Sequence, residues 1–152
     1  MDAANAGPIR PPLVYLLAIV LGTVIHFVVP FPFLPGGLAL PLGGSLMVVA
    51  ALIFASSVGT FRSAGTPVPG HEPTVAIVRK GPYRFSRNPI YLAFSLLQLG
   101  IAVALNSVWL LATLAGAMAL MQWVVIAREE AYLERKFGEQ YLAYKASVRR
   151  WL

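Results

Sequence analysis

Four apolar runs divide the chain, at residues 13–29, 42–58, 90–105 and 108–127. None alternates polar and apolar positions as a barrel strand would, so each predicts a helix. A span needs about 20 apolar residues, within a range of ~17–25. The run at 90–105 is short and predicts a helix that borrows a turn from its flanks or tilts little. Only helices and closed barrels satisfy every backbone N–H and C=O in lipid. The pattern therefore predicts an all-α, polytopic helical membrane protein with four transmembrane helices and a C-terminal helical cap. Small residues recur inside the runs, among them Gly43, Ala50, Gly116 and Ala117, and let helix backbones approach closely.

The connections differ in kind. Residues 30–41 hold four prolines, which predict a loop rather than a helix. Residues 61–88 form a long loop with turn chemistry around residues 66–70 and at Gly81-Pro82-Tyr83, and with a short extended segment at 74–78. Asn106-Ser107 predicts a tight hairpin. In the tail, residues 128–152, a helical stripe runs through Leu133, Phe137, Tyr141, Tyr144 and Val148, and Gly138 caps one helix or divides two. With no internal repeat or low-complexity segment, residues 1–152 read as a single membrane domain.

Charge orients this frame. All 12 Lys and Arg fall before the first run, between the second and third, or after the fourth. The connections at 30–41 and 106–107 carry none. This is the positive-inside pattern. It places both termini, the 61–88 loop and the tail in the cytoplasm, and a compact chain of this kind suits a bacterial or archaeal inner membrane. Hydrophobic residues make up 58% of the chain and charged residues 12%, against ~25% charged in a soluble domain, so the bilayer is the solvent that fits. The net charge of +6 is juxtamembrane, which favours an anionic leaflet over nucleic acid as partner. There is no cysteine, so no thiolate chemistry. His26 and His71 are too far apart in sequence to point to a metal site. A signal peptide would need a small-x-small cleavage site before Pro30, and none follows the first run.

The hairpin has a chemical consequence. The third helix leaves the basic face and the fourth returns to it, so residues 81–91 (GPYRFSRNPIY) converge on Arg128-Glu129-Glu130. The basic residues alone would read as snorkelling anchors. The two glutamates would not: a carboxylate there gains nothing from the positive-inside effect, and four residues on stand Leu133 and Glu134 rather than a cation. Their partners must come from elsewhere, with Arg84 and Arg87 as suppliers. His26, late in the first span, predicts a neutral histidine bonded to a backbone carbonyl or near the interface. Gln98 and Gln122 predict links between helices. His71 and Glu72 receive no role.

GPYRFSRNPIY, followed some forty residues later by REEAYLERKFGEQYLAYKASVRR, resembles the isoprenylcysteine carboxyl methyltransferase and phospholipid methyltransferase superfamily of membrane enzymes. The likeness covers residues 78–149. It implies S-adenosylmethionine as methyl donor and a lipophilic acceptor entering from the lipid bilayer. Carried onto this chain, it implies a donor site of Tyr83, Arg84, Arg87, Asn88, Tyr91, Glu129, Glu130 and Tyr141. Arg87, Asn88 and Glu130 are then the catalytic candidates, and Arg149 a partner for an anionic substrate headgroup. The chain departs from the pattern at Asn88, where relatives carry His. Asn cannot take a proton near neutral pH, which favours O- or S-methylation over N-methylation. The competing class is a non-enzymatic scaffold or anionic-lipid-binding protein, which would show no special sensitivity at the two glutamates.

Overall fold

The structure is a computed structural model that describes residues 9–68 and 74–152. Its elements are all helical: α1 (Pro11–Val28), α2 (Gly36–Ser63), α3 (Pro89–Ala104), α4 (Val108–Leu120), α5 (Ala127–Phe137) and α6 (Glu139–Ser147). A short 3₁₀ turn, Gly81–Arg84, precedes α3, and a π-helical stretch, Met121–Ile126, joins α4 to α5. No strand occurs among the described residues, and residues 74–78 pair with nothing as a ladder. Three helices are long and apolar enough to cross a membrane: α1, α2 and the continuous helix Val108–Phe137. The fourth, α3, is apolar but has only 16 residues.

Two boundaries differ from the sequence reading. The proline-rich connection was expected through residue 41, but α2 starts at Gly36 with Pro41 inside it. Pro41 is the sixth residue of α2, just past the first turn, whose N–H groups have no intrahelical partner anyway. Its missing N–H removes one further bond, and the carbonyl facing its ring belongs to Gly37. The last apolar run was expected to end at residue 127. The helix instead continues without a break to Phe137, because Arg128 to Lys136 contains strong helix formers. Only Gly138, at φ +50°, stops it and starts α6.

Helix α2 packs chiefly on α3, and α1 on α4. The α2–α3 crossing is backbone to backbone. A Cβ on Gly43 would lie 2.4 Å from the Ala104 nitrogen and 2.5 Å from the Gly100 carbonyl oxygen. The outward faces of α1 and α2 expose Leu16, Leu17, Leu21, Leu40 and Leu52, the surface a lipid solvent requires. The polar groups point inward. The Tyr15 hydroxyl meets Ser95 Oγ at 2.8 Å, tying α1 to α3. Gln98 Nε2 donates to Thr113 Oγ1 at 3.2 Å, tying α3 to α4 as expected of a mid-span glutamine. His26 lies in the last turn of α1, and its buried Nδ1 has no hydrogen-bond partner among the described residues.

At the end opposite the basic residues, Asn106 locks the hairpin to the α1–α2 connection. Its Oδ1 accepts from Phe33 and Leu34 N–H at 2.8 Å each, and its Nδ2 donates to the Leu34 carbonyl at 2.7 Å. It does so at φ +51°. Ser107 caps α4 by accepting from the Leu110 N–H. The short hairpin holds α3 and α4 side by side, so their far ends meet at the basic face.

Candidate functional site at the basic end of the bundle

A cavity opens between the start of α3, the first turns of α5, α6, and the loop beside Phe61. It is lined by Tyr83, Arg87, Asn88, Tyr91, Glu129, Glu130, Tyr141 and Tyr144, with an apolar share from Phe61, Val78, Ile90 and Leu133. Local geometry accounts for each side. Pro82 and Pro89 fix a 3₁₀ turn and a helix start, with Arg87 and Asn88 between them. On the other side, the π-helical stretch carries one residue more per turn than an α-helix and re-phases the helix that follows it. Met121, Val125 and Ile126 face the bundle core, and one turn after the last two the adjacent Glu129 and Glu130 are both buried.

Glu130 is the electrostatic centre. It is 4% exposed, and three cations surround it. Arg150 grips it with both ends of its fork, Nε to Oε1 at 2.9 Å and Nη2 to Oε2 at 2.6 Å. Arg87 Nη1 lies 3.1 Å from Oε1, close enough for a strong Coulomb contact but not aligned as a hydrogen bond. Lys145 Nζ stands 3.8 Å from Oε2 and pairs more closely with Glu134, at 2.5 Å. Its neighbour Glu129 accepts from the Tyr91 hydroxyl at 2.6 Å. The Tyr144 hydroxyl donates to the Tyr83 carbonyl at 2.7 Å, closing the wall between the 3₁₀ turn and α6.

Several buried polar atoms facing this region have no hydrogen-bond partner among the described residues: Tyr83 Oη, and Nε and Nη1 of Arg87. The phenols stay protonated. Burial pushes the Tyr141 hydroxyl up to about 12, the Glu130 charge adds to the rise, and Arg87 works against it. Burial likewise raises Tyr83 and Tyr144 well above the ordinary phenol range. Arg150 moves upward too, because it donates to Glu130.

The sequence candidates divide. Tyr83, Arg87, Asn88, Tyr91, Glu129, Glu130 and Tyr141 come together around the cavity. Arg84 does not. It is exposed on the outer side of the 3₁₀ turn, its guanidinium 6.0 Å from the Phe85 ring centre, beside Leu52, Ile53 and Ser56 of α2. Its neighbour Tyr83 points inward, and the turn sends the next side chain the other way. Arg149 is exposed, and only its backbone takes part, its carbonyl accepting from the Arg87 N–H at 2.9 Å. Asn88 is engaged by the tail, its Nδ2 donating to the Arg150 carbonyl at 3.0 Å. His71 and Glu72 lie outside the described residues.

Sequence reasoning missed Arg150 and Lys145 as partners of Glu130. After α6 the backbone turns extended at Val148, φ −129° and ψ 134°. In extended chain successive side chains point to opposite sides, so Arg149 faces out and Arg150 faces Glu130. Nothing in the dipeptide Arg149-Arg150 reveals that phase. Trp151 then donates from Nε1 to Gln122 Oε1 at 2.8 Å, which gives Gln122 a tail partner rather than another bundle helix.

The chain is similar to an uncharacterized protein of Haemophilus influenzae, at 70% identity over 27 residues. That segment is 18% of this chain and 43% of the relative, so the match spans less than half of that protein's length. No solved structure matches the chain. The family model for phospholipid methyltransferases matches residues 38–140. The match takes in all but the first two residues of α2, then α3, α4, the π-helical stretch and α5, and with them Arg87, Asn88, Tyr91, Glu129 and Glu130. By that match this integral membrane protein belongs to the phospholipid methyltransferase family.

Proposed function

We propose that the chain transfers a methyl group from S-adenosylmethionine to a lipophilic acceptor dissolved in the bilayer. Family membership supports the reaction class. The observation that carries the donor assignment is the state of Arg87. Its side chain is 9% exposed, yet Nε and Nη1 lack hydrogen-bond partners among the described residues. Its charge is shared with Glu130, 3.1 Å from Nη1, while the donors on Nε and Nη1 keep hydrogen-bonding capacity for a ligand carboxylate. Glu130 stands in contact with Arg87, and Glu129 lines the same cavity. A buried guanidinium facing buried carboxylates matches a zwitterion, such as the amino-acid end of the donor. Tyr83, Tyr91, Tyr141 and Tyr144 add ring faces suited to an adenine or a sulfonium.

When bound, S-adenosylmethionine supplies an electrophilic methyl group on a sulfonium. The residues of the chain hold and orient it. Arg87 takes the carboxylate, Glu129 and Glu130 the ammonium and ribose hydroxyls, and Tyr91 fixes Glu129. The raised phenols remain hydrogen-bond donors at neutral pH. Phe61, Val78, Ile90 and Leu133 make one side of the cavity apolar, which excludes water and receives an acceptor that arrives laterally from lipid. Asn88 offers no proton relay, so the reading favours an acceptor that needs no base, a carboxylate or a thiolate. In this reading the basic face is cytoplasmic, where a charged donor is dissolved. Arg149, exposed at the rim, meets an anionic headgroup.

The test uses methyl-labelled donor with the purified chain in vesicles of native bacterial lipid. Label is expected in the organic phase after extraction, and none with Arg87→Ala. Label that stays aqueous with the folded wild type would overturn the proposal.

A further inference from the structure

We infer that Arg150 is a positioning residue for this site, acting through Glu130 and Asn88 without touching the ligand. The inference rests on the donor assignment above and extends the site past residue 140, where the family match ends. Residues 148–151 form an extended strap that is tied to both halves of the cavity. On the α3 side, the Arg87 N–H donates to the Arg149 carbonyl at 2.9 Å and Asn88 Nδ2 to the Arg150 carbonyl at 3.0 Å. Ser86 Oγ reaches the Arg150 carbonyl at 3.4 Å, while accepting from the Asn88 N–H at 3.1 Å. On the α5 side, the Arg150 fork holds both oxygens of Glu130. Trp151 pins the strap to Gln122 of the π-helical stretch.

Arg150 is absent from the cavity lining, whereas Glu130, Arg87 and Asn88 are part of it. It therefore approaches Glu130 from behind. A bidentate fork fixes the plane of the carboxylate as well as its charge. Oε2 keeps acceptor capacity after that bond, since a carboxylate offers roughly four lone-pair positions and Lys145 at 3.8 Å is too far to take one. Arg150 thus aims a buried carboxylate into the cavity at a set distance from Arg87. The same residue's carbonyl occupies the Asn88 amide and fixes its rotamer. One strap sets the spacing between the cationic and anionic halves, which is what an amino-acid zwitterion reads.

Arg150 is 28% exposed at its side chain, so its replacement leaves no enclosed void. The test is calorimetric titration of two probes into detergent-purified full chain. S-adenosylhomocysteine carries the amino-acid end; 5′-methylthioadenosine has the same nucleoside without it. Arg150→Gln is expected to weaken S-adenosylhomocysteine by at least ~10-fold and to leave methylthioadenosine within about 2-fold. Arg150→Lys, which cannot grip both oxygens, should fall between. Arg135→Gln, altering an exposed cation of α5, should match wild type with both probes. Equal losses for both probes would mean a merely structural strap and would overturn the inference. Unchanged or tighter S-adenosylhomocysteine binding in Arg150→Gln would overturn it as well. Failure of the wild type itself to bind S-adenosylhomocysteine would sink the donor assignment, and this inference with it.

Discussion

Replacing Glu130 by Gln removes one charge from beneath three cations, and the structure sets how much that costs. Arg150 and Lys145 are 28% and 38% exposed at their side chains and can turn to water. Arg87, at 9%, cannot. Breaking a buried pair by removing one partner costs ~3–5 kcal/mol when the other stays desolvated. With one of three cations stranded, the low end applies, about 3 kcal/mol. The converse change, Arg150→Gln, leaves Glu130 with Arg87 and Lys145. It loses two charge-assisted hydrogen bonds at a half-exposed site, for about 1–2 kcal/mol. The double variant should fall short of the sum by about 1 kcal/mol, because the two residues share one contact. Tryptophan fluorescence reports unfolding in detergent, with three Trp available and Trp151 hydrogen-bonded beside the site. At roughly 2–4 °C per kcal/mol for a chain of this size, Glu130→Gln should lower Tm by roughly 6–12 °C. A smaller drop for Glu130→Gln than for Arg150→Gln would refute Glu130 as the centre of the network.

Other outcomes follow from single contacts. Gly43→Ala places a Cβ against the α3 backbone and should cost ~1–3 kcal/mol; Gly44→Ala, with open space around it, should not lower Tm and can add up to ~1 kcal/mol through helix propensity. Asn106→Gly keeps the positive φ accessible but loses three hydrogen bonds to residues 33 and 34. It should cost ~1–3 kcal/mol, and Asn106→Ala more, because alanine resists that φ. The Tyr141 phenol, raised from 10.0 to about 12, holds its proton more tightly in the folded chain. It contributes stability fully below pH 10 and loses it as pH rises towards about 12. Tyr141→Phe should therefore flatten the alkaline fall of Tm, and an unaltered slope would contradict the assignment.

How much of this was legible in the sequence depends on the range of the interaction. The four helices were, because lipid selects long apolar runs whatever their partners. Helix ends were not. Pro41 sits inside α2 although it removes one intrahelical bond, so a proline in the sequence did not mark where the helix begins. The π-helical stretch at 121–126 is written in ordinary apolar residues and comes from packing. The meeting of Arg87 with Glu130 was legible because a short hairpin leaves two helices few ways to return. Arg84 was misplaced, and Arg150 overlooked beside Arg149, for one reason. In a turn or an extended strap, neighbouring side chains point to opposite sides, and phase is set by contacts that are distant in sequence. Arg150 lies 20 residues from Glu130 and 62 from Asn88, joined to each only by the folded strap.

The central claim is that the cavity between Arg87 and the paired glutamates is a nucleoside amino-acid site. Titration of S-adenosylhomocysteine into the folded wild-type chain by calorimetry tests it without knowledge of the acceptor. Saturable one-site binding in the micromolar range, lost in Arg87→Ala while that variant keeps a cooperative unfolding transition, is the predicted result. No heat of binding in a wild-type preparation with an intact transition would contradict it.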